Sequence, residues 1–497
     1  MFIRKKLNKS GSTSIQIIQK VHRSNKVIKT IGSSTDSLEI EKLYQQALYE
    51  LPRIYGATLF DTPVQTPISE LSNDSVRVCG PEVIFGKIYD YIGYGELAEP
   101  LLQDLVISRI THPGSKLNLA RYLTATGKNG ISVYSIYRFL DKLNSSLKVI
   151  IEDISFEYTK KVLGGQIGVV FYDMTTIYFE ASEPDDFRIT GFSKEGKHQN
   201  PQIMLGLLVG KDGYPIGYEL FEGNTFEGHT LIPVLEKYTV RFHIEKPIII
   251  ADSGLLSKTN IDQLQEHGFG FIIGARIKNE NNRVKAQILA LHLTDGQQAC
   301  VDKENGLKLH ISYSGKRAKK DQFNRERGLA KLEKRLSTGK LTKANINNRG
   351  YNKFLKLEGQ INISLDHEKL EADQKWDGLK GYITNTNLTT QQVISNYNNL
   401  WKIEKAFRIS KTDLQIRPVF HRLKKRIEAH ICISFMAYLL YKELERALTI
   451  SKCGISMNVA IENINKMYEV KTEENCTVRL RNNNIQQQIY DLVNSMF

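Results

Sequence analysis

The chain has 497 residues, 41% hydrophobic and 25% charged, which suits about three soluble globular domains and excludes a disordered polymer. Its 68 Lys and Arg against 54 Asp and Glu leave a formal charge of +14, pointing to a polyanionic partner, nucleic acid ahead of an anionic membrane surface. There is no 18-residue apolar run and the first residues turn polar at once, so no membrane span or signal peptide is expected; the scattered Cys79, Cys300, Cys432, Cys453 and Cys476 form no C-x-x-C, so neither zinc nor a disulfide framework is expected, and a cytoplasmic setting is.

Residues 1–75 read as a small basic β-containing module. Ser12 to Val21 and Lys26 to Ile31 are strand-like around a turn at His22 to Asn25, and a helix follows from Leu38 to Leu51. Lys5, Lys6, Lys9, Lys20, Arg23, Lys26 and Lys29 make it either a solvated hairpin or an arm that lies on DNA phosphates. Gln65 to Ser75 is rich in Pro, Ser, Thr and Asn and reads as a linker. Residues 76–163 are helical, with stripes over Pro81–Ile92, Leu97–Ile110, Ser115–Ala125 and Ser132–Leu143. Short helices joined by tight turns admit either plain packing or a helix-turn-helix, in which Lys116 and Arg121 would face a groove.

Residues 164–276 alternate strands and helices. Gly168 to Phe179 is a strand apolar on both faces, and Gln202–Val209 and Tyr214–Phe221 form a hairpin around Lys211-Asp-Gly213. A helix over His229–Tyr238, a buried strand Pro247–Asp252, a helix over Ser257–His267 and a strand Phe269–Ala275 complete the order β-β-β-α-β-α-β, that of a ribonuclease H-like sheet. Residues 277–376 change character and read as an inserted subdomain. It has strands at Leu307–Tyr313 and Phe354–Leu365 and basic runs at Lys316-Arg317-Ala-Lys319-Lys320 and Lys331–Arg335, either solvated surface or DNA track.

Residues 377–450 return to the core with a strand at Gly381–Thr384, and 451–497 read as a helical tail. Between Gln391 and Leu414 no Pro or Gly interrupts one helix capped by Thr389 or Thr390, with an apolar stripe of Ile394, Leu400, Ile403, Phe407 and Leu414. Tyr397, Glu404 and Lys411 are seven apart, so they stack on one face, and Arg408 leans onto the same side. That face is either a solvated Glu–Arg row or a metal-binding Glu whose neighbours hold a phosphate backbone. A second long helix follows Arg422–Arg426.

Asp173 sits inside a buried strand, where a carboxylate is costly unless compensated. Asp252 closes another strand, and strand ends are where α/β sheets build sites. Each alone could cap a turn. With Glu404 they supply three hard-oxygen ligands suited to Mg²⁺ or Mn²⁺, two of which, about 3.5–4 Å apart, support in-line phosphodiester chemistry.

Asp173, Asp252 and Glu404, with the helix Tyr397…Glu404…Lys411, resemble the DDE transposases of bacterial insertion sequences, in the group with a β-rich insertion between the second Asp and the Glu. That group's helix carries Tyr, two residues, Arg, three residues, Glu, six residues, Lys. This chain departs at the Arg, which is Leu400, and Arg408 is the candidate to take over part of that contact. Gly223-Asn224-Thr225, Asp377-Gly378 and Arg417-Pro418-Val419 with His430 fit the same pattern, and the resemblance spans about residues 165–445.

The resemblance implies an α/β, ribonuclease H-like catalytic core with Asp173, Asp252 and Glu404 as catalytic and metal-binding residues. It implies two divalent ions, and DNA contacts at Tyr397, Arg408 and Lys411, to which the basic run Lys316, Arg317, Lys319 and Lys320 is added. It further implies binding to the terminal inverted repeats of the protein's own element, joining of 3′-hydroxyls to target DNA, a homodimer or larger complex on paired ends, and a bacterial cytoplasm with nucleoid association on DNA. Trp376 and Trp401 are candidates to stack on an unpaired base, although Trp401, on the helix, is expected in the core. Two alternatives stand beside this: a nuclease of the same fold that cuts without joining, and a DNA-binding descendant that no longer cuts.

Overall fold

The computed structural model describes residues 1–21, 24–55, 76–128, 130–180, 183–193, 196–254, 257–338, 345–347, 350–358, 362–471 and 477–497; His22, Arg23 and the expected linker at Gln65 to Ser75 lie outside them. The chain divides into two units, residues 1–76 with 470–478, and residues 77–469 with 479–497.

In the first unit β1 (Phe2–Leu7), β2 (Thr13–Val21) and β3 (Ser24–Ser34) form an antiparallel meander. The β1 strand went unrecognised in the sequence because its Arg4, Lys5 and Lys6 mask any apolar alternation. Helix α1 (Ser37–Tyr55) covers the meander, with Ile15 and Ile17 against Ala47, while a side chain at Gly32 would strike Leu43.

After β4 (Val76–Val78), five helices follow: α2 (Gly80–Ile92), α3 (Pro100–Thr111), α4 (Lys116–Ala125), α5 (Val133–Lys142) and α6 (Lys148–Val162). Ser115 caps α4 by accepting the Asn118 N–H, and Ser132 with Ser135 forms a capping box on α5. The next elements are β5 (Val169–Tyr178), β6 (Gln202–Val209), β7 (Pro215–Glu222), α7 (Leu231–Phe242), β8 (Ile248–Ala251), α8 (Lys258–Glu266) and β9 (Gly270–Ala275). Then come α9 (Asn282–Ala290), β10 (Gln298–Asp302), β11 (Lys308–Tyr313), α10 (Gly315–Ser337), β12 (Leu355–Glu358), β13 (Asn362–Leu365), α11 (His367–Gln374) and β14 (Leu379–Thr384). The chain ends with α12 (Thr390–Asn398), α13 (Trp401–Arg408), α14 (Lys424–Ser451), α15 (Met457–Ile464), β15 (Tyr468–Lys471), β16 (Thr477–Arg479) and α16 (Asn484–Met496), so the tail carries strands as well as helices.

Eight strands make one mixed sheet in the order β10-β11-β14-β9-β8-β5-β6-β7, parallel only between β5 and β8 and between β8 and β9. One face carries Phe171, Ile177, Leu207, Ile250 and Ile272 into a core shared with Val393, Ile403, Leu439 and the early helices. The other carries Val170, Tyr172, Met174, Ile249 and Ile273 onto Leu235 of α7 and Leu264 of α8. Burial on both faces explains why β5 and β8 read as continuous apolar runs. The middle of α14, Ile431 to Tyr441, is buried on every side because the core encloses it, while the charges of the helix gather toward its two ends.

Two expectations change. The stretch 277–376 is not wholly a separate insertion, because β10 and β11 extend the central sheet beside β14, with Val284 and Ile288 of α9 packed on Leu309 and Ile311. The remainder, α10, the β12–β13 hairpin and α11, is tied back by the Arg325 guanidinium, which donates to both oxygens of Asp377 at 2.6 Å.

The helix expected without a break from Gln391 to Leu414 changes pitch twice. Thr389 caps α12 in a reciprocal box with Gln392. At Asn399 and Leu400 the bonds tighten to i→i+3, the Leu400 N–H donating to Tyr397 O at 2.9 Å; over Ile409–Asp413 they widen to i→i+5, the Leu414 N–H donating to Ile409 O at 2.9 Å. The absence of Pro and Gly ensured helicity but not constant pitch. Tyr397, Glu404 and Lys411 therefore lie on three successive helical segments, not on one straight face.

Candidate active site

Asp173 points to the same side of β5 as Phe171 and Ile177, toward the α12–α13 layer. The parallel ladder pairs Val169 with Ile248 and Phe171 with Ile250, and two further residues at the same offset set Asp173 opposite Asp252. The paired stretch itself ends at Phe171 and Ile250, and Asp252 lies just past the end of β8. The β8–β9 ladder pairs Ala251 with Ile273, which brings Gly274 level with Asp252, and β9–β14 pairs Gly274 with Tyr382. One row thus crosses four strands: Asp173, Asp252, Gly274, Tyr382.

Tyr397 at the end of α12 lies over this row. Its ring is 4.9 Å from that of Tyr382, edge-on, and a Cβ at Gly274 would lie 3.1 Å from its Cζ and closer still to its Oη, so only glycine leaves room there. Burial first, then the Asp252 charge, the Tyr382 phenol and the Glu404 charge push the Tyr397 hydroxyl up from its usual range. Asp252 and Glu404 therefore act on the same phenol, although they come from a strand end and from the exposed side of α13. Asp173 Oδ1 accepts the Met174 N–H at 2.7 Å and Asp252 Oδ1 accepts the Gly254 N–H at 2.7 Å, so Asp252 also caps its own turn. Among the described residues no three acidic, His or Cys side chains lie close enough to hold one metal ion.

Cations border the row. The Lys380 ammonium on β14 is 4.6 Å from the Tyr397 ring centre and 5.3 Å from that of Tyr382. Burial pulls its pKa down, the Arg317 charge adds to that, and the Glu404 charge opposes it. Arg317 thus reaches the site from the first turn of α10, with its own 3.6 Å approach to Asp321. Arg276, just past β9, donates to Ser253 O at 2.8 Å, beside Asp252. Sequence reasoning missed Lys380 and Arg276; the available signal was a lone charge within Leu379-Lys-Gly-Tyr-Ile-Thr384 and one directly after an apolar strand.

The other expected residues spread out. Lys316, Lys319 and Lys320 are exposed on α10, and Lys411 is half-buried in the widened turn after α13. Arg408 lies toward α14, where its charge is felt at Tyr441. Leu400 is buried, while Trp401, expected in the core, is 53% exposed, because the tightened turn before it rotates it outward. Trp376 packs against the small core of Ile277, Leu309 and Ile311. The Arg417 guanidinium lies 5.3 Å from the Tyr178 ring centre and Val419 bridges to Phe179, so this loop runs beside the far end of β5. At Gly223 any side chain would strike the carbonyls of Gln202 and Ile189.

The model of the family described as transposase DDE domain matches residues 164–440. No curated protein matches the chain. Among solved structures, it is similar to the piggyBac transposase in a synaptic complex with hairpin DNA, at 9% identity over 82% of this chain and 71% of that one, with a TM-score of 0.38. It is also similar to the Mos1 strand transfer complex, at 13% identity over 48% of this chain and 68% of that one, with a TM-score of 0.16.

Proposed function

The chain belongs to the transposase DDE domain family, and on that premise we propose that it cuts and joins DNA at the ends of its own element through Asp173, Asp252 and Glu404. The observation that supports this reading is the parallel register of β5 with β8, whose offset, carried two residues beyond the Phe171–Ile250 pair, brings Asp173 level with Asp252 on the side of the sheet that faces the helices. The strand order β7-β6-β5-β8-β9, with its first three strands antiparallel and the last two parallel to β5, supports a ribonuclease H-like core. The segment between β9 and β14 is its insertion, part of it built into the sheet.

The residues fit a divalent ion by chemistry. All three are hard carboxylates, the oxygen ligands that Mg²⁺ and Mn²⁺ take. Mg²⁺ or Mn²⁺ held by Asp173, Asp252 and Glu404 would acidify a bound water or 3′-hydroxyl and stabilise the leaving oxygen. The chain itself positions the DNA. Lys380, Arg317 and Arg276 attract the phosphates that approach the acids. Tyr397, fixed between Gly274 and Tyr382, limits where a backbone can lie. Lys411 and the exposed Lys316, Lys319 and Lys320 extend the track. The N-terminal unit, with its basic strands, grips the element's inverted repeats, and two protomers pair the ends. No helix among the described residues is long and apolar enough to cross a membrane, and we place the protein on DNA in a bacterial cytoplasm.

The test is a labelled element end incubated with target DNA and Mg²⁺. Wild type should nick and join it, while Asp173→Ala should bind equally and do neither. Nicking without joining would make the protein a nuclease, and binding without metal-dependent nicking would make it a non-catalytic descendant.

A further inference from the structure

Arg109 of α3, Lys116 at the first position of α4, His421 in the loop before α14 and His430 within α14 are 4%, 5%, 7% and 5% exposed. They form one cluster. Arg109 Nη2 is 3.3 Å from His430 Nδ1, and the His421 and His430 rings are 5.5 Å apart. The charge that adds to burial in depressing the Lys116 ammonium is that of Arg109, and Lys116 in turn acts on both imidazoles. Under the helix-turn-helix alternative Lys116 would face a groove; its burial fits the plain-packing alternative instead.

Part of the cluster serves the fold. Arg109 donates to Gln415 O at 3.5 Å and His430 Nε2 lies 3.0 Å from Ile416 O, which anchors the loop after the Glu404 segment. Two groups are left over: Lys116 Nζ and Arg109 Nε are buried with no hydrogen-bond partner. The charges that add to burial at Lys116, His421 and His430 are those of positive groups, Arg109 foremost among the neighbours of Lys116 and His430, and no ion pair among the described residues joins a carboxylate to any of the four. Arg426, which also acts on His421, shows the contrast: Asp141 accepts from its guanidinium at 2.9 and 2.8 Å. A lysine alone in such a place could shed its proton, but a guanidinium cannot. Unpaired buried cations are among the least tolerated features of a folded chain. Lys116 also opens a ten-residue helix, capped by Ser115 at the Asn118 amide, whose dipole favours an anion at that end.

We propose that this cluster binds a phosphate group. It uses none of the three acids and stands apart from the catalytic reading. The group can come from two sources, a DNA backbone or free orthophosphate. The exposed Arg422, Lys424 and Lys425 beside His421 would draw in a polyanion.

The probes are sodium phosphate, titrated at constant ionic strength while the full chain is heated, and a fluorescent duplex of arbitrary sequence, bound without divalent metal. Wild type should melt at a higher temperature with millimolar phosphate. Lys116→Met removes an unpartnered ammonium, so it should melt no lower than wild type without phosphate and should lose the response. If DNA is the source, Lys116→Met should also bind the duplex about tenfold more weakly; if orthophosphate is, duplex affinity should not change. The proposal is overturned if Lys116→Met responds to phosphate as wild type does. It is overturned equally if neither phosphate response nor duplex affinity depends on Lys116, or if Lys116→Met melts lower without phosphate, since the ammonium would then have a partner of its own.

Discussion

Gly274→Ala tests how the acids are placed under the helical layer. The added Cβ would lie 3.1 Å from Tyr397 Cζ, closer to its Oη, and 3.4 Å from the Ser253 amide nitrogen. Ordinary carbon contacts need about 3.5–4.0 Å, so the phenol must move by about 1 Å. It has little space to do so, with Tyr382 4.9 Å away on one side and the Lys380 ammonium 4.6 Å away on another. Overpacking of this kind costs about 1–3 kcal/mol. Tyr397→Phe removes the clashing oxygen, so the double variant should recover at least about 1 kcal/mol, read as favourable coupling in a double-mutant cycle. Urea unfolding of wild type, both single variants and the double measures it. End cleavage by Gly274→Ala should fall by about 10²-fold, the usual penalty for a 1 Å displacement beside reacting groups. An unchanged urea midpoint for Gly274→Ala, or strictly additive effects, would refute the register that sets Asp252, Gly274 and Tyr397 together.

Three further outcomes follow from the same structure. Lys380→Met should weaken duplex binding and make log K against log salt shallower by about one, measured by anisotropy; an unchanged slope would remove Lys380 from the DNA surface. Arg325→Met leaves Asp377 without its two-point partner and should lower stability by about 3 kcal/mol in urea, whereas a neutral effect would mean that α10 is held by other contacts. At Asp373 burial raises the carboxyl pKa, but hydrogen bonds from Lys278 at 2.8 Å and Lys353 at 2.9 Å outweigh it and hold it below its usual value. Its folded pKa lies below its unfolded one, so the stabilisation is complete above the unfolded carboxylate pKa of about 3.9 and disappears as pH falls through the folded value. Asp373→Asn should therefore lower stability at neutral pH and flatten its acid limb; equal loss at pH 7 and at pH 2 would contradict this.

Much of the central sheet was legible because its strands are buried on both faces. The β6 limits agree with the structure, β5 and β8 fall within a residue or two, and both aspartates were visible as charges interrupting apolar runs. The Thr389 cap was legible too, since a hydroxyl before a helical stripe is a local signal. What failed was either decided at a distance or concealed by local charge. Strand β1 hides behind three cations, and β10 and β11 reveal their place only by pairing next to β14. The slips to i→i+3 and i→i+5 around α13 leave no mark in composition, so Trp401 emerges exposed. Lys116 and Arg109 look like surface charges until folding surrounds them with His421 and His430. Lys380 gains meaning only from the rings of Tyr382 and Tyr397 beside it.

The central claim is that Asp173, Asp252 and Glu404 share divalent metal. Mn²⁺ titration of the full chain, followed by electron paramagnetic resonance alongside Asp173→Asn, Asp252→Asn and Glu404→Gln, tests it most directly. Saturable binding by wild type that is weakened in each of the three variants is the predicted result. Equal binding by wild type and all three variants, or no saturable binding by wild type even with DNA present, would contradict it.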